Sequence, residues 1–389
     1  MKLTFEERVA LLNASYFFRE FTFSRNKFKP EPSLEVELAD AVVSLDDLRI
    51  IYQVKERNAP PGTTVEKEEK WFKSEVLGKA TKQVRDTLAY LQKYSHIEVC
   101  NDRGHKFNLA AASVSHTHKL VVYEPHDLLP ASCASKKYHK SQKVGVIHLI
   151  RAADYLGILK TFVTPVEVAE YLAYRETLAN IWGTVLEEVP EPALVGHYLR
   201  NLPDRRPSIE FLKFLAELQR QDKGEWDISR IISLFPDRRT TPQSSATEHY
   251  SIVKELAKLN RLDMRVFKER FALSMDKAQK DESVLPYRFV ATTGCGFIFI
   301  PLTEKEIPDR DVALRSFTYL HKYDVHLERC IGLAFIAEHD TGWCDVQWCR
   351  VEFPWAEDEK TRSFIKENKP LRAVKRTVVE RYGLDKLMD

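Results

Sequence analysis

LEVELADAVVSLDDLRIIYQVKER, residues Leu34–Arg57, decides how this chain is read. Two runs rich in β-branched residues flank Leu45-Asp46-Asp47, a polar turn. The pattern predicts one strand over Val36–Ser44, a second over Leu48–Lys55, and a hairpin between them. With Asp46-Asp47 as a two-residue turn, Leu45 faces Leu48, and counting back sets Asp40 opposite Gln53. Directly opposed residues of an antiparallel pair share a face. Side chains alternate along a strand, so Lys55 points the same way as Gln53. A three-residue turn would instead set Asp40 opposite Tyr52, on the other face. Asp-Asp specifies a two-residue turn less strongly than Asn-Gly does.

A carboxylate, an amide oxygen and a lysine gathered at a sheet end suit metal-assisted phosphodiester cleavage. The carboxylate binds a hard cation through oxygen, and the lysine handles the attacking water or the charge on phosphate. Asp40, followed after twelve residues by Gln53-Val54-Lys55, resembles the PD-(D/E)XK nuclease superfamily, which has the restriction-endonuclease-like fold. The resemblance covers roughly the first 160 residues. It implies Mg²⁺ or Mn²⁺ held by Asp40, with Gln53 or the Val54 carbonyl as second ligand and Glu7 as third. Glu6 and Glu20 are the alternatives to Glu7. It also implies Lys55 beside the attacking water, Gln83 as a supporting residue, DNA as substrate, and bacterial restriction or anti-phage defence as the setting. The chain departs from the family pattern at Gln53, which stands where a second acid is usual, so one negative charge is missing. That departure carries the alternative expectation, a catalytically degenerate nuclease fold that binds nucleic acid or serves as an interaction scaffold. The plainest reading of the hairpin is an ordinary Asp40–Lys55 surface pair, worth little.

Outward from the hairpin, Thr4–Phe18 reads as a helix. Thr4 and Glu7 stand at capping-box spacing, and Val9, Leu12 and Tyr16 form an apolar stripe. Cap formation explains Glu7 as well as a metal does. Arg25, Lys27 and Lys29 are interleaved with Phe23 and Phe28, a pattern that can track a phosphate backbone. After the breaker Asn58–Gly62, a helix is predicted over Val65–Lys93, with Thr63 and Glu66 as a second capping box. Phe72, Val76, Ala80, Val84, Leu88 and Leu91 make its buried stripe. Gln83 lies beside the stripe, while Lys79, Lys82 and Arg85 either contact phosphate or form a solvated face.

His96–Cys100, Lys119–Glu124 and Val144–Ile150 are expected to complete an α-β-β-α-β order, a small mixed sheet flanked by helices. Lys136, Lys137 and Lys140, with Tyr138 between them, form the densest basic cluster and a candidate DNA-contacting loop. His116 and His118 are two apart on one face of a strand and would need a third residue to ligate a metal. Without one they read as structural or surface histidines.

Thr164-Pro165-Val166-Glu167 opens a helix with cap, first-turn proline and acid in order. The pattern from about Val195 to Gln279 is largely helical, and Thr240–Ser245 is its most loop-like piece. The last hundred residues hold a buried strand ending at Pro301, a hairpin of Cys330–His339 with Trp343–Phe353 turning at Asp340-Thr341-Gly342, and a helix near Glu357–Glu367. Trp343, Trp348 and Trp355 are expected as core or interface anchors.

The whole is expected to be α/β in class, α+β overall. A nuclease-like core would occupy 1–160, a helical linker or regulatory domain 161–284, and a C-terminal α+β recognition or interaction domain 285–389. The chain of 389 residues is 44% hydrophobic and 30% charged, with formal net charge +2. A nearly neutral protein concentrates any nucleic-acid surface in a local patch. No apolar run is long enough to cross a bilayer, and MKLTFEERVALL does not read as a leader, so no membrane partner is expected and the cytoplasm is the expected compartment. Six scattered cysteines read as reduced thiols. A homodimer or a regulatory protein would engage residues 161–389. No serine-hydrolase elbow, HExxH, Walker loop or kinase signature is present.

Overall fold

The structure is a computed structural model. It describes the chain except residues 1–2, 25, 32–33, 112–113, 115, 163, 222–246, 248, 339–342, 375–380 and 383–389. The class is mixed α/β, a mixed central sheet flanked by helices together with a C-terminal sheet domain. Two compact units result, one within 1–240 and one within 241–383. The sequence reading instead places boundaries at 160 and 284.

In the first unit, α1 (Phe5–Tyr16) is followed by β1 (Thr22–Ser24), β2 (Lys27–Glu31), β3 (Leu34–Glu37), β4 (Ala41–Leu45) and β5 (Leu48–Glu56). The expected strand Val36–Ser44 is in fact two. Val36 pairs with Phe28 in a separate β2–β3 ribbon, and β4 begins only at Ala41. Between them the backbone leaves the ladder. Leu38 donates its N–H to the Asn26 carbonyl at 2.7 Å and accepts on its own carbonyl from the Thr87 hydroxyl. The hairpin register is as expected, with Leu45 opposite Leu48 and Ala41 opposite Tyr52. The turn is two residues long, and Asp46 takes the left-handed conformation at φ 48° that aspartate tolerates.

The predicted long helix runs as α2 (Val65–Trp71), a π-helical stretch over Phe72–Ala80, and α3 (Thr81–Lys93). A reason for the π stretch lies in the sequence. Phe72, Val76, Ala80 and Val84 recur strictly every four residues, and in an α-helix such a stripe drifts by about 40° at each step. A wider local turn cancels that drift. All four side chains then reach Val121, Tyr123, Ile147 and Leu149 on one sheet face. The expected Thr63/Glu66 capping box is corrected. Thr64 is the N-cap residue, and Thr63 donates to Glu68 Oε1 at 2.5 Å.

Next come β6 (Glu98–Cys100), β7 (Lys106–Asn108), β8 (His116–Glu124), α4 (Ala131–Ala134), β9 (Tyr138–Ser141), β10 (Gly145–Arg151), α5 (Ala152–Thr161), α6 (Pro165–Trp182), α7 (Glu191–Arg200) and α8 (Leu212–Gln221). The six-stranded sheet has the order β1-β4-β5-β8-β10-β9, with β5, β8 and β10 mutually parallel. The strand expected at His96–Cys100 does not join it, because β6 pairs with β7 in a separate ribbon. The other sheet face carries Tyr52, whose hydroxyl lies 3.1 Å from that of Tyr155. Tyr155 in turn donates to Asn13 Oδ1 on α1 at 2.5 Å.

In the second unit, α9 (Tyr250–Ala257) and α10 (Arg261–Gln279) precede β11 (Tyr287–Val290) and β12 (Gly296–Pro301). Then α11 (Arg310–Asp324), β13 (Arg329–Glu338), β14 (Trp343–Glu352) and α12 (Glu359–Asn368) follow. The sheet order is β11-β12-β13-β14. On one face Phe267 meets Phe297, Phe299 and Trp348, and on the other Leu314 packs with Ile298, Ile300 and Ala334. The expected C-terminal hairpin is present as β13–β14, and its turn lies outside the described residues, as does the Thr240–Ser245 piece. Trp355 anchors through its Nε1, which donates to the Tyr323 carbonyl at 3.1 Å. The six cysteines are free thiols. Among the described residues no helix is long and apolar enough to cross a membrane.

Candidate active site

The hairpin opens at Asp40, just before β4 begins. Val54 donates its backbone N–H to Asp40 Oδ2 at 2.6 Å, and Lys55 Nζ stands 3.7 Å from the same oxygen. Within a strand, one residue's N–H and C=O point to the same side, so the Val54 carbonyl also faces Asp40 rather than β8. Gln53 is 1% exposed, and its Oε1 has no hydrogen-bond partner. A buried amide oxygen left unsatisfied costs about 1–3 kcal/mol. Asp40 commits Oδ2 and leaves Oδ1 without a hydrogen bond. Burial raises the Asp40 carboxyl above its ordinary value, against the opposing pull of Lys55, the Val54 N–H and Lys79.

α3 lies over this group. Thr87 bonds the Leu38 carbonyl, and the charge of Lys79 is felt at Asp40. Gln83 is one turn from each of them on the helix, so it stands between two residues that reach the Leu38–Asp40 segment. Its Oε1 is buried and unpartnered, as is that of Gln53. The structure thus brings Asp40, Gln53, Val54 and Lys55 together, with the charge of Lys79 acting on Asp40, while Gln83 lies on the helix between Lys79 and Thr87.

Glu7 is not brought to them. Its Oε2 accepts the Thr4 N–H at 3.0 Å, closing the capping box, and α1 packs on the Tyr52 face of β5. Glu20 is buried against Arg103 at 2.8 Å. It precedes Thr22, which pairs with Val43, and so lies towards the turn end of the hairpin, away from Asp40. Of the basic residues, Lys27 pairs with Glu35, and Lys82 with Asp86, on exposed surface. Lys79 is exposed beside Glu75. Arg25 lies outside the described residues.

The expected basic loop at 136–140 is corrected. Residues 138–141 form the edge strand β9, and Lys140 is exposed there with its ammonium 6.0 Å from the Tyr138 ring. Lys136 pairs with Glu187 at 3.1 Å. Lys137 is buried, with Nζ 3.4 Å from Glu191 Oε2. It belongs to a polar core in which Arg175 meets Glu191 by Nε to Oε1 at 2.7 Å and Nη2 to Oε2 at 3.1 Å. The other guanidinium hydrogens go to the Lys137 and Leu149 carbonyls and to His148 Nδ1. Arg175 and Lys137 hold the Glu191 carboxyl down at about 2, against the effect of its burial.

In two arrangements the acidic partner is illegible in the sequence. Arg57 forks onto the fully buried Glu68, Nε to Oε2 at 2.9 Å and Nη2 to Oε1 at 2.9 Å, fixing α2 to the end of β5. His116 and His118 find a third acidic neighbour, Glu176 of α6. Burial, and then the neighbouring His116 and Lys119, push the His118 imidazole down to about 3, so it is neutral near pH 7. Only spatial adjacency reveals these contacts, since no spacing rule links residues so far apart in the chain. No protein-family model, curated protein or solved structure matches this chain.

Proposed function

We propose that the first unit is a divalent-metal-dependent nuclease that hydrolyses phosphodiester bonds in DNA. The observation that carries this reading is the meeting of Lys55 Nζ and the Val54 N–H on Asp40 Oδ2, beside a buried Gln53 whose Oε1 is unpartnered. Asp40 through Oδ1, Gln53 through Oε1 and the Val54 carbonyl are oxygen donors of the kind hard cations take, and they would hold Mg²⁺ or Mn²⁺. When bound, such an ion supplies charge neutralisation for the phosphate and an activated water. Lys55 stands beside the Asp40 carboxylate and carries an ammonium to the reacting phosphate. Lys79 adds a second cation at the mouth of the group. Gln83 orients the water or the phosphate through its amide.

One observation favours a second reading. Asp40 is the only carboxylate in this group and already faces Lys55, so the site is poor in negative charge. A nuclease fold that binds DNA without cutting it would look the same. Incubation with supercoiled and linear plasmid in Mg²⁺, Mn²⁺ or EDTA separates the two. Metal-dependent nicking establishes the nuclease. Salt-sensitive retention of DNA with no cutting in either metal establishes the binding module.

A further inference from the structure

His116 and His118 occupy alternate positions at the start of β8, and their ring centroids are 4.9 Å apart. Glu176 approaches from α6, so that one ligand atom from each residue lies within 4.8 Å of the others. His118 is 2% exposed, and its Nδ1 has no hydrogen-bond partner. A buried imidazole nitrogen is normally paired, because leaving it bare costs about 1–3 kcal/mol. The cluster is remote from Asp40. His116 pairs with Leu48 beside the hairpin turn, whereas Lys55 is seven residues further along β5, or about 23 Å at ~3.3 Å per residue.

We infer that His116, His118 and Glu176 form a second metal site, built for a borderline transition cation and for zinc foremost. Two imidazoles and one carboxylate favour Zn²⁺, Co²⁺ or Ni²⁺ over Mg²⁺ and Ca²⁺, which take all-oxygen sets. Three protein ligands leave a fourth tetrahedral position for water. Ligands around zinc at ~2.0–2.1 Å stand about 3.4 Å apart, so the cluster must close slightly. His116 is exposed and free to swing inward, while the other two ligands are held by the fold. Glu176 follows Arg175, whose guanidinium is fixed on every hydrogen, and His118 is locked in a central strand.

Lys119 is the competing cation. Its Nζ bonds the Val144 carbonyl at 2.9 Å and feels the charge of Glu176. In the absence of metal, the charge of Glu176 partly offsets the burial of Lys119. With metal bound, the ion clasps α6 onto the first residues of β8. This site does not rest on the nuclease reading, since it shares no residue with it.

The test uses the full chain, stripped with chelator and dialysed. Zn²⁺ is titrated by calorimetry, and Co²⁺ by its visible ligand-field bands, into wild type, His116→Ala, Glu176→Gln and Asp40→Asn. The expected result is one Zn²⁺ per chain in wild type and in Asp40→Asn. His116→Ala and Glu176→Gln should each lose tenfold or more in affinity and lose the tetrahedral cobalt spectrum, while circular dichroism shows them folded. Both substitutions are at side chains outside the packed core, so folding is not at stake. Three outcomes overturn the inference: no zinc uptake by wild type, equal uptake by all four proteins, or uptake lost in Asp40→Asn but kept in Glu176→Gln.

Discussion

Lys55 Nζ stands 3.7 Å from Asp40 Oδ2, and both side chains are nearly buried, at 13% and 10% exposure. This is not the loose surface pair that an alternating hairpin usually carries. The carboxylate is also fixed by the Val54 N–H, so its position does not depend on the lysine. Replacement of either residue should therefore leave the fold intact. Asp40→Asn keeps an acceptor for Val54 and removes a buried charge, so its melting temperature should equal or exceed that of wild type. Lys55→Met keeps the aliphatic stem. In both, metal-dependent plasmid cleavage should fall by at least about 100-fold, the scale of losing a proton-handling or charge-stabilising group. Cleavage rates matched to thermal melts check this, and undiminished cutting in both variants would remove the hairpin from the mechanism.

The unpartnered amide oxygens of Gln53 and Gln83 make a second prediction. Gln53→Glu supplies the missing negative charge beside Asp40. It should lower the Mg²⁺ concentration for half-maximal cleavage by roughly tenfold, since an added carboxylate strengthens a hard-cation site. The same change buries a second like charge, so the metal-free protein should melt lower. Gln83→Leu removes a buried polar group with no partner on its oxygen. Its melting temperature should hold or rise while cleavage falls. A Mg²⁺ titration of activity, run beside metal-free melts, separates the two effects.

What could be read in advance divides along a physical line. The hairpin register was legible, because a two-residue turn and period-two alternation fix every pairing from Leu45–Leu48 to Ala41–Tyr52. The break at Leu38 was not, because Val36, Leu38 and Val42 continue the same alternation while the backbone passes from one sheet to another. Leu38 answers to Asn26 and Thr87, contacts that no local pattern records. The buried stripe of the long helix was legible in position but not in its π character. Charged residues were the poorest guide. Lys137 reads in sequence as part of a DNA-contacting loop, and nothing local marks Arg175, Glu68 or Glu191, yet all four are buried and paired. The candidate site was read where its residues are close in sequence, Asp40 to Lys55. At Glu7 the sequence left cap and metal ligand open on the same residue, and the structure shows the cap.

The Arg175–Glu191 pair yields a stability prediction with a defined pH window. Its members are 1% and 2% exposed on their side chains, and the Glu191 carboxyl is held down at about 2 from an ordinary 4.5. A carboxylate whose folded value is depressed contributes stability that is complete above its unfolded value. That stability is lost as pH falls through the folded value. Wild type should therefore lose stability progressively from about pH 5 towards pH 2. Glu191→Gln leaves the Arg175 guanidinium and the Lys137 ammonium without their counter-charge and should cost about 3–5 kcal/mol at pH 7. It should also flatten the acid limb, because the titrating group is gone. Urea melts of both proteins at several pH values give the two slopes, and parallel curves would show that Glu191 does not govern acid stability.

Gly196 in α7 gives the sharpest packing prediction. A Cβ placed there would overlap the Phe211 carbonyl oxygen and lie 2.8 Å from its carbon, with Leu212 N at 3.6 Å. These are backbone atoms at the start of α8, so no side-chain rotation relieves the overlap. A mid-helix glycine normally gains up to about 1 kcal/mol on replacement by alanine. Here the sign should reverse, because α7 must move away from the Phe211 turn. That movement would also disturb His197, which donates from Nε2 to the Arg205 carbonyl at 2.8 Å and accepts at Nδ1 from the Tyr174 hydroxyl at 2.7 Å. Gly196→Ala should destabilise the first unit by about 2–3 kcal/mol, the upper range for overpacking. The lever arm ends at the polar core, since α7 carries Glu191 at its first turn. Hydrogen exchange should therefore show faster opening of α7 and of the Arg175 region of α6, with the Asp40–Lys55 hairpin unchanged. A variant as stable as wild type would mean that the close approach of α7 to Phe211 is not part of the folded state.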